Sequence, residues 1–541
     1  MSGARRSIAA LVMATGPDHR ADPPSWARAV DGKPALLHTV DRMSRVNADR
    51  LAVVAPRGGD AAGRRELEAR LAGLAEVLDV DVDPRPNAEA RLRLARAWSP
   101  SSWRGGIGGA TCYDEWLDPR VAAAAMETLD ADAAVLVAPD WPLVDPAWCD
   151  RLIDRHLELP EKHRMVFSQA APGFCGVLLE RALAREMADH ATNVGWMLDY
   201  NPAAPKVDPV GRDVCVQVPP DLRAPGVRAT TDRPRWAALV DAAGEAGAAD
   251  DAVAAVRAMT ARLRDRGHAL PQQVAVELTP RRSTRGPASP GGLVDAGRDA
   301  MTPRTFAAIS DRLADVPDLA LTFGGLGDPL CHPAFEAFAE AAPPHAAIAW
   351  ETDLLAGADA IDRLSAIDRP MVVKVRLNAA TAAAYEQVMG VDRFDEAIAN
   401  LGKLANATRP TGAPIWVLPA MVKCRQNVHE LEPFVERWQS MFGTALVEGP
   451  RDGGGLVEDV SVIDMAPPRR FACRQLAHRL TVLSDGTVAR CDEDWLGREP
   501  AGRLDDEPLE TVWARIQQLR RDHEAGSHPG PCGACRQWHR P

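Results

Sequence analysis

No stretch of this 541-residue chain approaches the run of about 18 apolar residues that a membrane-spanning helix needs. No helical span is therefore expected. A basic excess is missing too, since 63 Lys and Arg against 75 Asp and Glu leave a formal net charge of −12. Nucleic-acid binding needs clustered positive charge, so no such partner is expected. The ten cysteines show no paired framework. That argues against a disulfide scaffold and for a reducing, cytoplasmic setting, in which clustered thiols bind metal. The opening "MSGARRSIAALVMATG" starts basic, but its apolar run stops at Gly16 without a small-residue cleavage pattern. It reads as a first strand and not as a signal peptide. Exact internal repeats are absent, as is low complexity beyond an alanine bias.

What is present is an ordinary globular composition, 46% hydrophobic and 26% charged, long enough for about three domains. The fold class expected is α/β, in three blocks. Block 1–265 alternates strand-like "SIAALVMA", "RLAVVAP", "AAVLVAPD" and "RMVFSQA" with helical patterns, which predicts a mostly parallel sheet covered on both faces. Block 270–465 repeats a strand–helix unit six times, with strands expected at "VAVELT", "LALTFGG", "AAIAWET", "VVKVRLN", "PIWVLPA" and "EDVSVID". Six such units would form a partial or full parallel barrel with its site at the carboxyl ends of the strands. Block 466–541 is too short for a large core, and a metal staple would compensate.

That last block holds Cys473, Cys491, Cys532 and Cys535 at spacing C-x17-C-x40-C-x2-C. Four thiolates bind zinc tetrahedrally or hold an iron–sulfur cluster. "CRQLAHRLTVLSDGTVARC" reads as cysteine, strand, Asp-Gly turn, strand, cysteine, a hairpin that would draw Cys473 and Cys491 toward one end. The other six cysteines stand alone and read as small buried hydrophobes. The hairpin, Gly486, the Leu509–Trp513 stretch and the closing "PCGACRQW" together resemble the SPASM domain of radical S-adenosylmethionine enzymes. The resemblance implies iron–sulfur binding. Four cysteines allow one auxiliary [4Fe–4S] cluster, with zinc as the other metal that this donor set admits.

With that resemblance stated, the central block is similar to the six βα units of radical S-adenosylmethionine enzymes. Their first strand ends in a C-x3-C-x2-C loop whose three thiolates leave one iron open for S-adenosylmethionine. Here "ELTPRRSTRGPAS" puts Arg282, Gly286 and Ser289 at those positions. None supplies a thiolate, so the resemblance implies a barrel that does not cleave S-adenosylmethionine and binds it weakly or not at all. "LTFGGLGDPLCHPAF" resembles the glycine-rich second strand that meets the cofactor's amino group, making Gly325, Gly327 and Asp328 candidate cofactor contacts. Arg281, Arg282 and Arg285 read either as a solvated basic loop or as an anion site at the barrel mouth.

Block one resembles the nucleotide-sugar (GT-A-like) transferases, in particular the cytidylyltransferase-like family of spore-coat polysaccharide synthesis. "AALVMATGPDHRADPPSWARAVDGKPALLHTVDRM" mirrors their first strand, phosphate loop and Gly-Lys-Pro turn. Arg20 and Lys33 are the candidate phosphate contacts, while Ser25 stands where the family has a loop lysine. "APDWPLVDP" and "VRATTDRP" place Asp140 and Asp232 as candidate Mg²⁺ ligands, oxygen donors suiting a hard cation. A strand-end Asp followed shortly by Pro is also an ordinary turn former. Three functions follow as expectations. One is an iron–sulfur protein with a small-molecule or peptide substrate, in surface-glycan or peptide modification. Another is a nucleotidyltransferase that activates a sugar or sugar acid with CTP. The last is a zinc-stapled scaffold.

Overall fold

The computed structural model describes residues 5–19, 23–56, 67–81, 85–99, 103–104, 106–200, 207–223, 226–408, 411–464 and 466–539. It divides into two compact units, Met1–Leu263 and Arg264–Pro541.

The first unit is a mixed seven-stranded sheet in the order β5-β4-β1-β6-β8-β7-β9. Its strands are β1 (Ile8–Met13), β4 (Arg50–Pro56), β5 (Glu76–Val80), β6 (Ala133–Val137), β7 (Met165–Ser168), β8 (Val177–Glu180) and β9 (Cys215–Val216), with a small hairpin of β2 (Ala29–Val30) and β3 (Lys33–Pro34) alongside. β1 pairs in parallel with both β4 and β6. Every residue of "IAALVM" is buried, which explains why that strand is a continuous apolar run instead of an alternating one. Two helices begin on the same device. Asp118 accepts from Arg120 N and Asp145 from Ala147 N, each followed by Pro at the first helical position, where a missing N–H costs nothing. Among the cysteines that stand alone in the sequence, Cys149 and Cys175 prove to be hydrogen-bonded neighbours, and that bond, with burial, pushes the Cys149 thiol up.

In the second unit, β10 (Gln273–Val276), β11 (Ala320–Phe323), β12 (Ala347–Thr352), β13 (Met371–Arg376), β14 (Ile415–Val422) and β15 (Leu446–Glu448) lie side by side in chain order, each parallel to the next. On the far side of β10, β16 (Arg479–Val482) adds in parallel, followed by antiparallel β17 (Thr487–Ala489) and β18 (Gly502–Arg503). The third sequence block therefore continues the sheet of the second, within one compact unit. Its helix Leu509–Glu524 is tied back by Trp513 Nε1, which donates to His268 O at 2.9 Å.

One expected strand is corrected. "EDVSVID" forms no strand, and the sixth strand is Leu446–Glu448. Alternation alone could not form a ladder there, whereas β15 pairs with Ala420–Val422. Its Glu448 also meets Lys374 of β13 at 2.7 Å.

Alternation sorts the side chains of this sheet. Val274, Val276, Leu321, Phe323, Ile348, Trp350, Met371, Val373 and Val375 join the apolar core on one face. The intervening Ala275, Thr322, Glu351, Lys374, Arg376 and Thr481 line a cavity on the other.

Candidate functional site

That cavity measures about 110 Å³ and is bounded by residues from every strand between β10 and β16, so the sheet curls around it. Its lining mixes apolar residues with charged ones, most of which are paired. Lys374 bridges Glu351 (3.0 Å) and Glu448 (2.7 Å), and Arg376 meets Glu351 at 2.8 Å. Arg451 and Arg479 share Asp492 at 3.1 and 2.7 Å. Arg298 clamps Glu277 with two bonds of 2.8 Å. Burial pushes the Glu351 carboxyl up, but the charges of Lys374, Arg376, Arg451 and Arg479 outweigh it and hold the carboxyl well below its ordinary range. Motif reasoning on the sequence does not single out these charges. The signal lies in "AWET" and "VKVR", where charged residues occupy alternate positions of otherwise buried strands.

The loop after β10 crosses the end of this cavity. No thiol of its own lies in it, and its arginines do not act alike. Arg281 and Arg285 are exposed, whereas the Arg282 side chain is only 1% exposed. Arg282 Nη1 donates to Ser289 Oγ (2.8 Å) and Nη2 to Gly327 O (3.0 Å). Thr284 Oγ1 lies 2.7 Å from Ser289 Oγ and donates to Asp353 Oδ2 at 2.6 Å. With the Thr284 proton spent on the carboxylate, the Ser289 hydroxyl must donate to Thr284. A directed chain therefore runs from Arg282 through Ser289 and Thr284 to Asp353, which also lies 3.7 Å from the guanidinium. Burial pulls the Arg282 guanidinium below its ordinary value, as does the charge of Arg376, against the pull of Asp353. The loop backbone is equally closed, for a Cβ on Gly286 would lie 2.2 Å from Val388 O. Of the three arginines, Arg282 is not solvated: it is buried, and it lines the cavity. The Sγ of Cys331 lies 4.0 Å from Ser283 Oγ.

The three cofactor contacts expected on the second strand separate. Gly325 lines the cavity, but Gly327 and Asp328 do not. Asp328 is 2% exposed and accepts from Leu330 N (3.0 Å), Thr352 Oγ1 (2.9 Å) and Asp353 N (2.8 Å). Its oxygens join two loops, accepting from residues of both. A Cβ on Gly327 would lie 1.9 Å from Thr279 O, so that glycine serves loop packing. Burial raises the Asp328 carboxyl, and the nearby Asp353 charge raises it further.

At the C-terminus the expected hairpin forms, with Thr481 opposite Ala489 and Val482 opposite Val488. It carries Cys473 and Cys491 on its two arms, and the short turn Gly530–Gly533 brings in Cys532 with Cys535 just after it. None of the four is in a disulfide. Burial pushes the Cys473 thiol up to about 12, with Cys535 and Cys532 adding to the cost of its ionisation. Cys491 is raised by burial and by Cys473, and Cys535 by burial, with Cys532 contributing. The four thus lie in each other's fields. Among the described residues, no three His, Cys, Asp or Glu converge at metal-binding distance.

The donor set nonetheless fits an iron–sulfur cluster. Four thiols are present, and N–H groups point at sulfur: Gln537 N donates to Cys535 Sγ at 3.3 Å and Arg490 Nη1 to Cys532 Sγ at 3.6 Å. Around them, Arg470 Nε, His523 Nε2 and His528 Nε2 are buried without a hydrogen-bond partner. Such a concentration of orphaned polar atoms is costly unless a bound group completes the site. Burial pushes His523 down to about 4, and the charges of His528, Arg470 and Arg490 push the same way.

In the first unit, Arg20 lies outside the described residues, and Lys33 is exposed on β3. Asp140 and Asp232 are buried beyond the carboxyl ends of the parallel strands, but not as a metal pair. Asp140 Oδ1 lies 3.5 Å from His19 Nε2. Asp232 pairs with Arg96 and lies 3.8 Å from Arg228 Nε, and those arginines also hold Asp18 and Glu115. Each carboxylate thus has a basic side chain of its own chain beside it, His19 at Asp140 and Arg96 at Asp232.

Residues 473–536 match the family model of SPASM, an iron-sulfur cluster-binding domain, and all four cysteines fall inside the match. An uncharacterized protein of Treponema pallidum (strain Nichols) is 28% identical over 293 residues, 51% of this chain and 81% of that protein. Among solved structures, Streptococcus suis SuiB bound to S-adenosylmethionine is similar at 13% identity and a TM-score of 0.36, over 50% of this chain and 73% of that one. A cytidylyltransferase from Leptospira borgpetersenii is similar at 11% identity and a TM-score of 0.32, over 48% of this chain and 94% of that one. No described helix is long and apolar enough to cross a membrane.

Proposed function

We propose that this chain is an iron–sulfur protein of radical S-adenosylmethionine and SPASM descent that holds one auxiliary [4Fe–4S] cluster and does not cleave S-adenosylmethionine. The observation that carries the reading is a contrast. Cys473, Cys491, Cys532 and Cys535 lie inside the SPASM match with orphaned polar atoms around them. The loop at 279–289 has no thiol and is closed by Arg282, Ser289, Thr284 and Asp353. A cluster at the C-terminus would supply a one-electron carrier. The chain's own part is to hold it with four thiolates, to aim N–H donors at their sulfurs, and to keep water from the charged cavity that a small-molecule or peptide substrate would enter. Surface-glycan or peptide modification is the setting proposed.

The test is iron and acid-labile sulfide per chain after anaerobic purification, with an EPR spectrum of the reduced protein and an assay for 5′-deoxyadenosine. About four of each element without deoxyadenosine supports the reading. One zinc without iron replaces it with the stapled scaffold, and about eight irons or any deoxyadenosine defeats it.

A second reading rests on the buried centre of Asp18, His19, Asp140 and Asp232 beyond β1 and β6, the place where ligands bind in open α/β sheets. Under it, the first unit activates a sugar or sugar acid with CTP. A thermal-shift series with CTP, with and without Mg²⁺, decides it, because a ligand at a hundred times its Kd stabilises by about 2.7 kcal/mol. No shift in either series excludes it.

A further inference from the structure

We propose that Arg490, restrained by Glu499, sets the reduction potential of the iron–sulfur cluster at Cys473, Cys491, Cys532 and Cys535. This inference rests on the cluster reading above. Arg490 follows β17 directly and precedes Cys491 in the chain. Its Nη1 donates to Pro529 O at 2.8 Å and reaches Cys532 Sγ at 3.6 Å, while Nη2 pairs with Glu499. The guanidinium is thus pinned between the loop carbonyl and a carboxylate, with one edge on a ligand sulfur. Its side chain is 14% exposed against 41% for Glu499, so solvent screens the acid more than the base. Arg470 supports the same turn differently, donating to the carbonyls of Cys532 and Gly533 and not to sulfur.

Reduction by one electron, supplied by dithionite through mediator dyes, adds one negative charge beside that guanidinium, and no bond forms or breaks. A fixed positive charge and an N–H donor to sulfur both favour the reduced form, the more so at a buried site. Arg490 should therefore raise the potential, and Glu499 should lower it by offsetting part of the Arg490 charge. The two partners give opposite signs, which a purely structural role for the pair would not.

The experiment is an EPR-monitored redox titration of the full chain, alongside iron and sulfide content, for the unsubstituted protein, Arg490→Gln, Arg490→Lys, Glu499→Gln and, as a control, Arg515→Gln. Arg515 pairs with Glu507 and Ala501 O and has no contact with the cysteines. The expected result is a more negative midpoint for Arg490→Gln, partial recovery in Arg490→Lys, a more positive midpoint for Glu499→Gln, and no change in the control. If Arg490→Gln fails to retain iron, the sign in Glu499→Gln decides. Equal midpoints at full iron content, or a negative shift in Glu499→Gln, overturn the proposal. Absence of iron from the unsubstituted chain defeats the cluster reading itself and is seen before any titration begins.

Discussion

The loop that follows β10 and the cysteine-bearing turns around β16 and β17 lie on neighbouring strands of one sheet, yet they satisfy their polar atoms in opposite ways. In the loop, a guanidinium, two hydroxyls and a carboxylate form a closed chain. The leftover atoms, Arg282 Nε and Asp353 Oδ1, belong to residues already joined as an ion pair 3.7 Å apart. Around the cysteines, two imidazole nitrogens and a guanidinium nitrogen stay buried without a hydrogen-bond partner. Buried polar atoms cost about 1–3 kcal/mol each when unpaired. A centre with no thiol to offer is knitted shut from within, while one that keeps four thiols leaves atoms for a bound group to meet. In the first unit, His19 and Arg96 lie beside Asp140 and Asp232.

The contrast breaks most readily at the thiols. Replacing both Cys532 and Cys535 by alanine should abolish iron and sulfide binding, reducing each from about four per chain to background in elemental analysis. Retention of iron by that variant would remove the C-terminal site from the comparison altogether.

On the closed side, Arg282→Met should destabilise the Arg264–Pro541 unit by about 3–5 kcal/mol, the cost of leaving one member of a buried pair uncompensated. Chemical denaturation followed by fluorescence checks this. A loss under about 1 kcal/mol, the scale of an exposed pair, would mean the guanidinium is a bystander in the loop.

Restoring the absent triad sharpens the comparison further. Arg282→Cys, Gly286→Cys and Ser289→Cys together should add no iron to the purified chain, because any Cβ at 286 meets Val388 O at 2.2 Å. Gly286→Ala alone should cost about 1–3 kcal/mol by overpacking. Iron rising to about eight per chain in the triple variant would show that the loop opens to accept a cluster.

The smallest effect concerns pH. Burial raises the Asp18 carboxyl, but Arg96 and Arg233 outweigh it and bring its pKa from 3.8 to about 2. A folded-state value below the unfolded one contributes stability that is complete above about pH 4 and is lost as pH falls toward 2. Asp18→Asn should therefore flatten the acid limb of the first unit's stability curve while leaving the limb above about pH 5 parallel to that of the unsubstituted chain. An unchanged acid limb would place the guanidinium attraction elsewhere.

Much of this architecture is legible in the amino-acid order alone. Strands β10 to β14 are short β-branched or aromatic runs, and each lies where period and flanking turns put it. β15 escapes because three half-buried residues carry too little pattern, and "EDVSVID" misleads because alternation without a partner strand makes no ladder. The missing thiols of the loop and the four C-terminal cysteines can be read directly by position. The roles of Asp328, Asp140 and Asp232 cannot. Each carboxylate matches a motif by local spacing, and each is met by partners far off in the chain: Thr352, His19 and Arg96. Arg282 reads as one of three equivalent cations for the same reason, its acid lying in the turn after β12.

What the sequence determined by itself, then, is the order of the elements, the number of thiols and the absence of three of them from the loop after β10. Those properties follow from side-chain period and residue identity, which act over a few residues. The tertiary structure alone decided which charges meet: Arg282 with Asp353, Arg96 with Asp232, and Lys374 with Glu351 and Glu448. Coulomb attraction and desolvation depend on distance in space, and the parallel crossovers of this fold bring together residues separated by 23 to 136 positions.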